Sequence, residues 1–333
     1  LKSDYDAIFV GTGAPKGKDL NIPGREEASK NIHIGIDFLA SVAFEHVSTI
    51  GKKVIVLGGG NTAMDCCRTA IRLGGKQVGV YVRSPKVDMK ASDWEIEEAE
   101  MENIPIFENH VPKEFLIKDG KLRGMLFEKV TAHYENNKRK LISTGEPLVE
   151  VECDDVLMAI GQDNAFEWIE KDLGIEFGEW DMPKVNKTTM QSSLPKVFFG
   201  GDAAWGPENI ITAVAHAHQA AISIDLFCNG KDLNERPEPH VFLKSSKMGL
   251  HEWSYDNGYD EVSRLSVPHA DLKSTLKDRK LEVELGYDDE MAFKEASRCL
   301  NCDAQTVFEE SRCIECDACV DICPEDCINF IEN

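Results

Sequence analysis

The stretch "KKVIVLGGGNTAMD", residues 52–65, constrains the fold more than any other part of the chain. An apolar run of strand character ends on three glycines, and helix-forming sequence follows until Gly74-Gly75. Gly58, Gly60 and Ala63 spell G-x-G-x-x-A. In a strand–turn–helix the first glycine permits a tight turn and the second lets the backbone approach a pyrophosphate. The alanine allows the helix to pack closely on the strand. The helix start then turns its free N–H groups and positive dipole end toward the phosphates. A ligand-free βα turn would share the pattern, but strand, turn, helix and the next strand "QVGVYVRS" occur in order, which favours dinucleotide binding. Gly58, Gly60, Asn61, Thr62 and Ala63 are the candidate contacts.

The second strand addresses which dinucleotide binds. An NAD site carries Asp or Glu about 20 residues past the glycines, for the ribose hydroxyls. Here Arg83 stands near that position, with Lys86 just beyond. A cation there suits a 2′-phosphate and favours NADP(H). A solvated surface arginine is the plain alternative, so NAD(H) stays open.

Around this unit, β- and α-like segments alternate, which predicts an α/β fold with a parallel, doubly wound sheet. "YDAIFVGTGA" is a short β-rich run. "NIPGREEASKNIHIGIDFLASV" reads as a Pro-Gly turn followed by a helix, and "DWEIEEAEMEN" as a polar helix. Residues 115–151 read as antiparallel hairpins with a charged tip at "ENNKRK". "DDVLMAIGQ" and "LPKVFFGGDAA" are buried strands, and a helix begins within "PENIITAVAH". In two-dinucleotide flavoenzymes an aspartate placed like Asp202, after Gly201, takes a ribityl hydroxyl. The helix starting near Asn209, Ile210, Ile211 and Thr212 would then aim its N-terminus at the flavin pyrimidine, where negative charge develops on reduction. After Gly230 the texture becomes polar and Pro-containing. The 333 residues allow two or three domains, and no apolar run is long enough to span a membrane. A net charge of −22 argues against nucleic acid as a partner and suits either solubility or docking of a basic redox protein.

Seven of the eleven cysteines lie between Cys299 and Cys327. Cys313, Cys316, Cys319 and Cys323 have the spacing C-x2-C-x2-C-x3-C, with Pro324 after them, which is an iron–sulfur run. Zinc sites more often use two separated C-x2-C pairs. In two-cluster ferredoxins the fourth cysteine of such a run serves the other cluster, so two [4Fe–4S] clusters would need eight ligands. This region offers seven, Cys299 and Cys302 among them, and Cys327 follows the run as a candidate free thiol. Iron-bound thiolates imply a reducing compartment, so the chain is expected in the cytoplasm. Cys66, Cys67, Cys153 and Cys228 lack redox-pair spacing and are expected to be core residues.

Taken in order, Gly58 to Asp65, then Ala159-Ile160-Gly161-Gln162, then Gly201-Asp202 resemble the glutamate synthase small-subunit family of FAD- and NAD(P)-dependent oxidoreductases. With "EASRCLNCD" and the cysteine run, the chain is similar to the iron–sulfur flavoproteins of that type. Some of these work with dissimilatory sulfite reductase, and others serve 2-oxoacid oxidoreductases or stand alone. The resemblance implies a two-dinucleotide-binding, Rossmann-like flavoprotein with a small C-terminal ferredoxin-like domain. Residues 1–50 and 162–230 would form the FAD domain, and 51–161 an inserted NAD(P) domain. The composition after Gly230 makes residues 231–290 a linker or extension and 291–333 the cluster domain, whose completeness stays open. Thr12, Gly13, Gly201, Asp202, Asn209, Ile210, Ile211 and Thr212 would face FAD, while Gly161 and Gln162 would join the nicotinamide nucleotide site. The family's FAD pyrophosphate fingerprint would lie upstream of "DAIFVGTGA", so the chain is expected to be a fragment. Where the family often reads Tyr-Arg-Arg, this chain reads Tyr81-Val82-Arg83, one cation fewer. His216 and His218, at i and i+2, do not share a helix face and are expected to be structural.

The expected function is an NAD(P)H-linked oxidoreductase that exchanges electrons with a protein partner, either a ferredoxin-like carrier, an oxidoreductase subunit or a sulfite reductase system. Flavin would take a hydride, and the clusters would take electrons singly. Hydride transfer needs stacking and orientation, so no catalytic side chain is named. The alternative is a non-catalytic wiring subunit of a larger redox complex. The oligomeric state stays open.

Overall fold

The computed structural model describes residues 3–135, 138–236 and 263–297. The chain divides into two compact units, Leu1–Pro237 with His269–Leu285, and Glu238–Pro268 with Gly286–Asn333.

The first unit contains two strands joined in parallel, β1 (Ile8–Val10) and β13 (Val197–Phe199). A two-residue antiparallel pair, β2 (Lys16–Gly17) with β12 (Gln162–Asp163), follows the first of them in sequence. Five parallel strands make the larger sheet: β3 (Ile32–Ile34), β4 (Lys53–Leu57), β5 (Gln77–Tyr81), β6 (Ile106–Phe107) and β11 (Asp155–Met158). Their spatial order is β3-β11-β4-β5-β6. From β4 the chain steps outward through α2 (Asn61–Arg72) to β5 and through α3 (Asp93–Met101) to β6, and β11 later returns to the other side of β4. The order therefore reverses between β4 and β11, and in such sheets ligands bind at the carboxyl ends of the strands where that happens.

The residues of β4 show why it sits centrally. Val54 and Val56 pack with Ala63, Met64, Cys67 and Ala70 of α2, while Ile55 and Leu57 pack with Phe115, Met125 and Phe127 on the opposite face. A strand covered on both faces needs a continuous apolar run rather than alternation. The first face is completed by α1 (Gly35–Ala43), whose Phe38 and Val42 join the same core. The second face is an antiparallel sheet of β7 (His110–Lys118), β8 (Lys121–Glu135) and β10 (Val149–Glu152). A further strand, β9 (Lys138–Ser143), pairs only with the outer part of β8, from Val130↔Ser143 to Glu135↔Lys138. The expected hairpins are present, and β8 with β9 forms a projecting two-stranded arm.

Beside β13 stand α4 (Asp202–Trp205) and α5 (Ile210–Cys228). A separate apolar cluster holds Val10, Val197, Phe199, Ala203 and Ala204. Among the described residues α5 is the one helix long and apolar enough to cross a membrane, by length and composition alone. Arg236 donates to Ser223 Oγ (2.6 Å) and to the Gln219 carbonyl (2.9 Å) of this helix.

Two sequence expectations change. The segment expected to run from a turn into a helix first forms β3, three residues pairing with β11 through Ile32↔Val156 and Ile34↔Met158. Residues 269–285, expected within a linker or extension, belong to the first unit, carry the short helix α6 (Leu272–Thr275), and pair His269 with Glu284. Arg279 and Lys280 bind Glu45 at 3.4 and 2.9 Å. In the second unit the described residues include α7 (Asp289–Ser297), and Tyr287 Oη donates to the Leu265 carbonyl at 2.5 Å.

Candidate functional site: a nucleotide turn and a flavin-side loop pair

The turn after β4 is built by close approach. Gly58 has φ +132°, and a Cβ there would lie 2.1 Å from the Ala159 carbonyl oxygen at the end of β11. Only glycine allows both that conformation and that contact. Gly60 differs, because a Cβ there would meet nothing within 4 Å. The open space lies at the start of α2, where Asn61 and Thr62 begin the helix with backbone N–H groups that have no partner one turn back. Ala63 is fully buried against the core. The turn thus fits a dinucleotide pyrophosphate, with a tight side against β11 and an open side at a helix N-terminus.

The loop from β5 to α3 folds back over this turn. The N–H groups of Lys90 and Ala91 both donate to the Gly59 carbonyl, at 2.8 and 3.0 Å, and the Ser92 N–H donates to Asn61 Oδ1 at 2.9 Å. Asn61 therefore spends its side-chain oxygen on the loop. Arg83 is exposed and has no ion-pair partner among the described residues. Lys86 is committed elsewhere, since its Nζ lies 2.6 Å from Glu100 and its N–H donates to Glu108 (2.7 Å). Lys90, which the sequence reading missed, is exposed, unpaired among the described residues and attached to the turn by its own backbone. Its signal was not its spacing from the glycines but the closure of the loop.

Behind the turn, α2 is bonded to α3 by charge. Arg72 makes two hydrogen bonds of 2.7 Å to Glu102, and Arg68 reaches Glu102 (3.0 Å), Glu95 (3.4 Å) and Glu98. Glu102 is nearly fully buried. Burial pushes the Asp65 carboxyl above its usual range, against the pull of Arg68. On the far side of the sheet Asp155 accepts from the Gly51 N–H (2.7 Å) and Asn31 (3.0 Å) and contacts His33 (3.3 Å). Burial would raise its carboxyl, but these bonds outweigh that and hold it below the usual range.

Gly161 and Gln162 stand one step beyond the nucleotide turn. Gly161 has φ +123°, its carbonyl accepts from the Lys18 N–H (3.0 Å), and Gln162 lies in β12 opposite Gly17. They link the two sheets.

On the other side of that link, the loops after β1 and β13 converge. Gly13 has φ +71°, with open space where its Cβ would be, and Thr12 precedes it. Gly201 has φ +60°, and its N–H donates to His216 Nδ1 at 3.2 Å, so the structure gives that histidine a positioning contact. His216 also lies against Trp205, with ring centroids 4.5 Å apart. Asp202 Oδ1 accepts from the Glu208 N–H (3.1 Å). Asn209 caps α5 by accepting from the N–H and Oγ1 of Thr212 (2.8 and 2.9 Å), which leaves the N–H groups of Ile210 and Ile211 at an exposed helix start. Asn164, absent from the sequence-based set, spans both loops. In the orientation that satisfies its amide, it donates to the Gly13 and Asp202 carbonyls, each at 3.2 Å. Positive φ at both glycines and the exposed N-terminus of α5 fit a flavin, whose reduced, electron-rich pyrimidine a helix N-terminus would stabilise.

The cysteines separate by burial. Cys66 and Cys67 are fully buried and adjacent on α2, and burial pushes the Cys67 thiol up to about 12 and that of Cys66 higher still. Burial also raises the Cys153 thiol to about 12. None of these is a ready thiolate. Cys228, expected in the core, is instead exposed at the end of α5, two residues past buried Leu226 and so on another side of the helix. Cys299, Cys302, Cys313, Cys316, Cys319, Cys323 and Cys327 lie outside the described residues.

Comparison with known proteins gives these features a family. A family model described as pyridine nucleotide-disulphide oxidoreductase matches residues 1–221, and one described as a 4Fe-4S binding domain matches residues 306–329. The NADP(+)-dependent formate dehydrogenase subunit beta of Moorella thermoacetica is 31% identical over 91% of this chain and 43% of its own length. The glutamate synthase [NADPH] small chain of Escherichia coli is 31% identical over 67% of this chain and 51% of its own. The chain thus spans about half the length of the curated relatives it matches. Thioredoxin reductase of Lactococcus lactis superposes with a TM-score of 0.54 at 26% identity, over 67% of this chain and 66% of that one. The first match implies binding of FAD and a nicotinamide nucleotide, and the second a [4Fe–4S] cluster. On the strength of the match over residues 1–221, this chain belongs to the pyridine nucleotide-disulphide oxidoreductase family.

Proposed function

We propose that the chain is the nucleotide- and cluster-bearing part of an NAD(P)H-dependent iron–sulfur flavoprotein that exchanges electrons with a protein partner. The observation that carries this reading is the nucleotide turn, with Gly58 closed on Ala159 and Gly60 open at the α2 N-terminus, at the point where strand order reverses. When bound, the flavin would take a hydride from the nicotinamide and pass electrons singly to iron–sulfur chemistry. The chain's own residues bind and orient. Gly60, Asn61 and Thr62 offer backbone N–H groups to the pyrophosphate. Arg83 and Lys90 offer free cations to a 2′-phosphate, which favours NADP(H) over NAD(H). Asn164 holds the Gly13 and Gly201–Asp202 loops in register for the flavin, with Ile210 and Ile211 at the helix start facing its pyrimidine edge. Cys313, Cys316, Cys319 and Cys323 are the proposed cluster ligands, with Cys299 and Cys302 as further candidates.

The proposed division assigns 1–50 and 162–230 to flavin binding, 51–161 to the nicotinamide nucleotide and 291–333 to the cluster. The partner would be an oxidoreductase subunit or a ferredoxin-like carrier in the cytoplasm. The test is anaerobic absorbance of the purified full chain. NADPH should bleach the flavin band and then the cluster band, and NADH should do so less readily. Cluster absorbance that neither nucleotide changes would overturn the enzyme reading and leave an electron-wiring subunit.

A further inference from the structure

The loop that carries the candidate 2′-phosphate cations is held from an unexpected direction. Strand β8 runs on past the sheet, and its outer residues pair with β9, placing Tyr134 opposite Arg139. Both side chains bind one carboxylate oxygen. Tyr134 Oη and Arg139 Nη1 donate to Asp88 Oδ2, the latter at 3.0 Å. Asp88 is the one acidic residue in the segment 82–92, which also holds Arg83, Lys86 and Lys90. On either side of it the segment is pinned by Lys86, bound to Glu108 and to Glu100 of α3, and by Lys90, whose N–H donates to Gly59 of the nucleotide turn.

We propose that Tyr134 and Arg139 are positioning residues for the 2′-phosphate: they turn the Asp88 carboxylate away from that phosphate and fix the loop so that Arg83 and Lys90 face it. An ionised Asp88 left free would stand two residues from Lys90 and repel an anion bound there. Arg139 neutralises it, and the tyrosine hydroxyl fixes its direction. The two hydrogen bonds, that of Tyr134 first, hold the Asp88 carboxyl below its usual range. The arm thus extends the specificity site to a strand pair far from the glycine turn in sequence. This inference rests on the NADP(H) reading above.

The test is calorimetric titration of the full chain with adenosine 2′,5′-bisphosphate and, separately, with 5′-AMP. The wild type should prefer the bisphosphate. Arg139→Ala and Tyr134→Phe should weaken the bisphosphate about tenfold, the scale of one lost charge-assisted hydrogen bond, while 5′-AMP changes less than twofold. Unchanged 5′-AMP binding also shows that each variant is folded. Arg139→Lys should keep most of the preference. In an Asp88→Asn background the Arg139→Ala effect should shrink, because no carboxylate remains to be neutralised. Equal weakening of both ligands would reduce the arm to a structural support and overturn the proposal. An undiminished Arg139 effect in Asp88→Asn would assign Arg139 to the phosphate itself and also overturn it. Equal wild-type affinity for the two ligands would instead remove the NADP(H) reading, whatever the variants do.

Discussion

Gly58 and Lys90 mark opposite ends of what a sequence discloses. Gly58 is legible because only glycine tolerates φ +132° beside a carbonyl 2.1 Å from where a Cβ would be, so chemistry left one residue type available. Gly58→Ala should cost about 2 kcal/mol or more, from left-handed strain and displacement of Ala159, and should abolish nucleotide titration before it abolishes folding. Lys90 and Asn164 are not legible, since each matters through backbone carbonyls brought together by tertiary closure. Lys86 shows the converse: it stands where a phosphate-binding cation is expected, but Glu100 on α3 takes its charge. Asp155 makes a pH-dependent contribution. Its folded carboxyl lies below the ordinary 3.8, so its stabilisation is fully present above that value and is lost as pH falls through the folded pKa. Asp155→Asn should therefore lower stability by about 1–3 kcal/mol at pH 7, measured by urea unfolding, with the gap to wild type closing in acid.

At the level of elements, α2 and α3 are joined by an ionic seam rather than by apolar packing alone. Arg68 and Arg72 lie one turn apart on α2, and Glu95, Glu98 and Glu102 face them from α3 and its cap. Glu102→Ala would leave Arg72 buried without its partner, and chemical denaturation should show a loss of about 3–5 kcal/mol. A Glu102→Leu change paired with Arg72→Leu should recover much of it, since the cost is that of an unpaired charge. The parallel strands β4, β5 and β11 are readable as apolar runs, and the antiparallel sheet as hairpins with a charged tip, whereas the two-residue β6 is not readable. Nor is strand β3, because three residues between a turn and a helix carry too short a pattern for either period. The ions of the α2–α3 seam were present in the polar-looking "DWEIEEAEMEN", yet nothing in that string says which glutamates turn inward.

Across the whole molecule the surplus of acid, a net charge of −22, is spread over a fold whose candidate nucleotide loop is locally basic. Association with a basic electron carrier should therefore slow as ionic strength rises, because the screening length falls to about 8 Å at 0.15 M salt. A flat salt response in stopped-flow mixing would argue for an apolar docking face instead. The long strand β8 has a different kind of consequence. Its residues 124–127 are laddered on both sides, by β7 and β10, and the Val130 N–H still reaches the Asn109 carbonyl, whereas 131–135 have β9 alone. Native-state amide exchange should therefore show a step along one continuous strand, with the inner amides opening only with the fold and the outer ones through a smaller, independent fluctuation. If the arm presses on the nucleotide loop, a bound adenosine 2′,5′-bisphosphate will slow exchange in the outer half alone. The protein would then report the occupancy of its 2′-phosphate site as a change in the breathing of a ribbon that never touches the ligand.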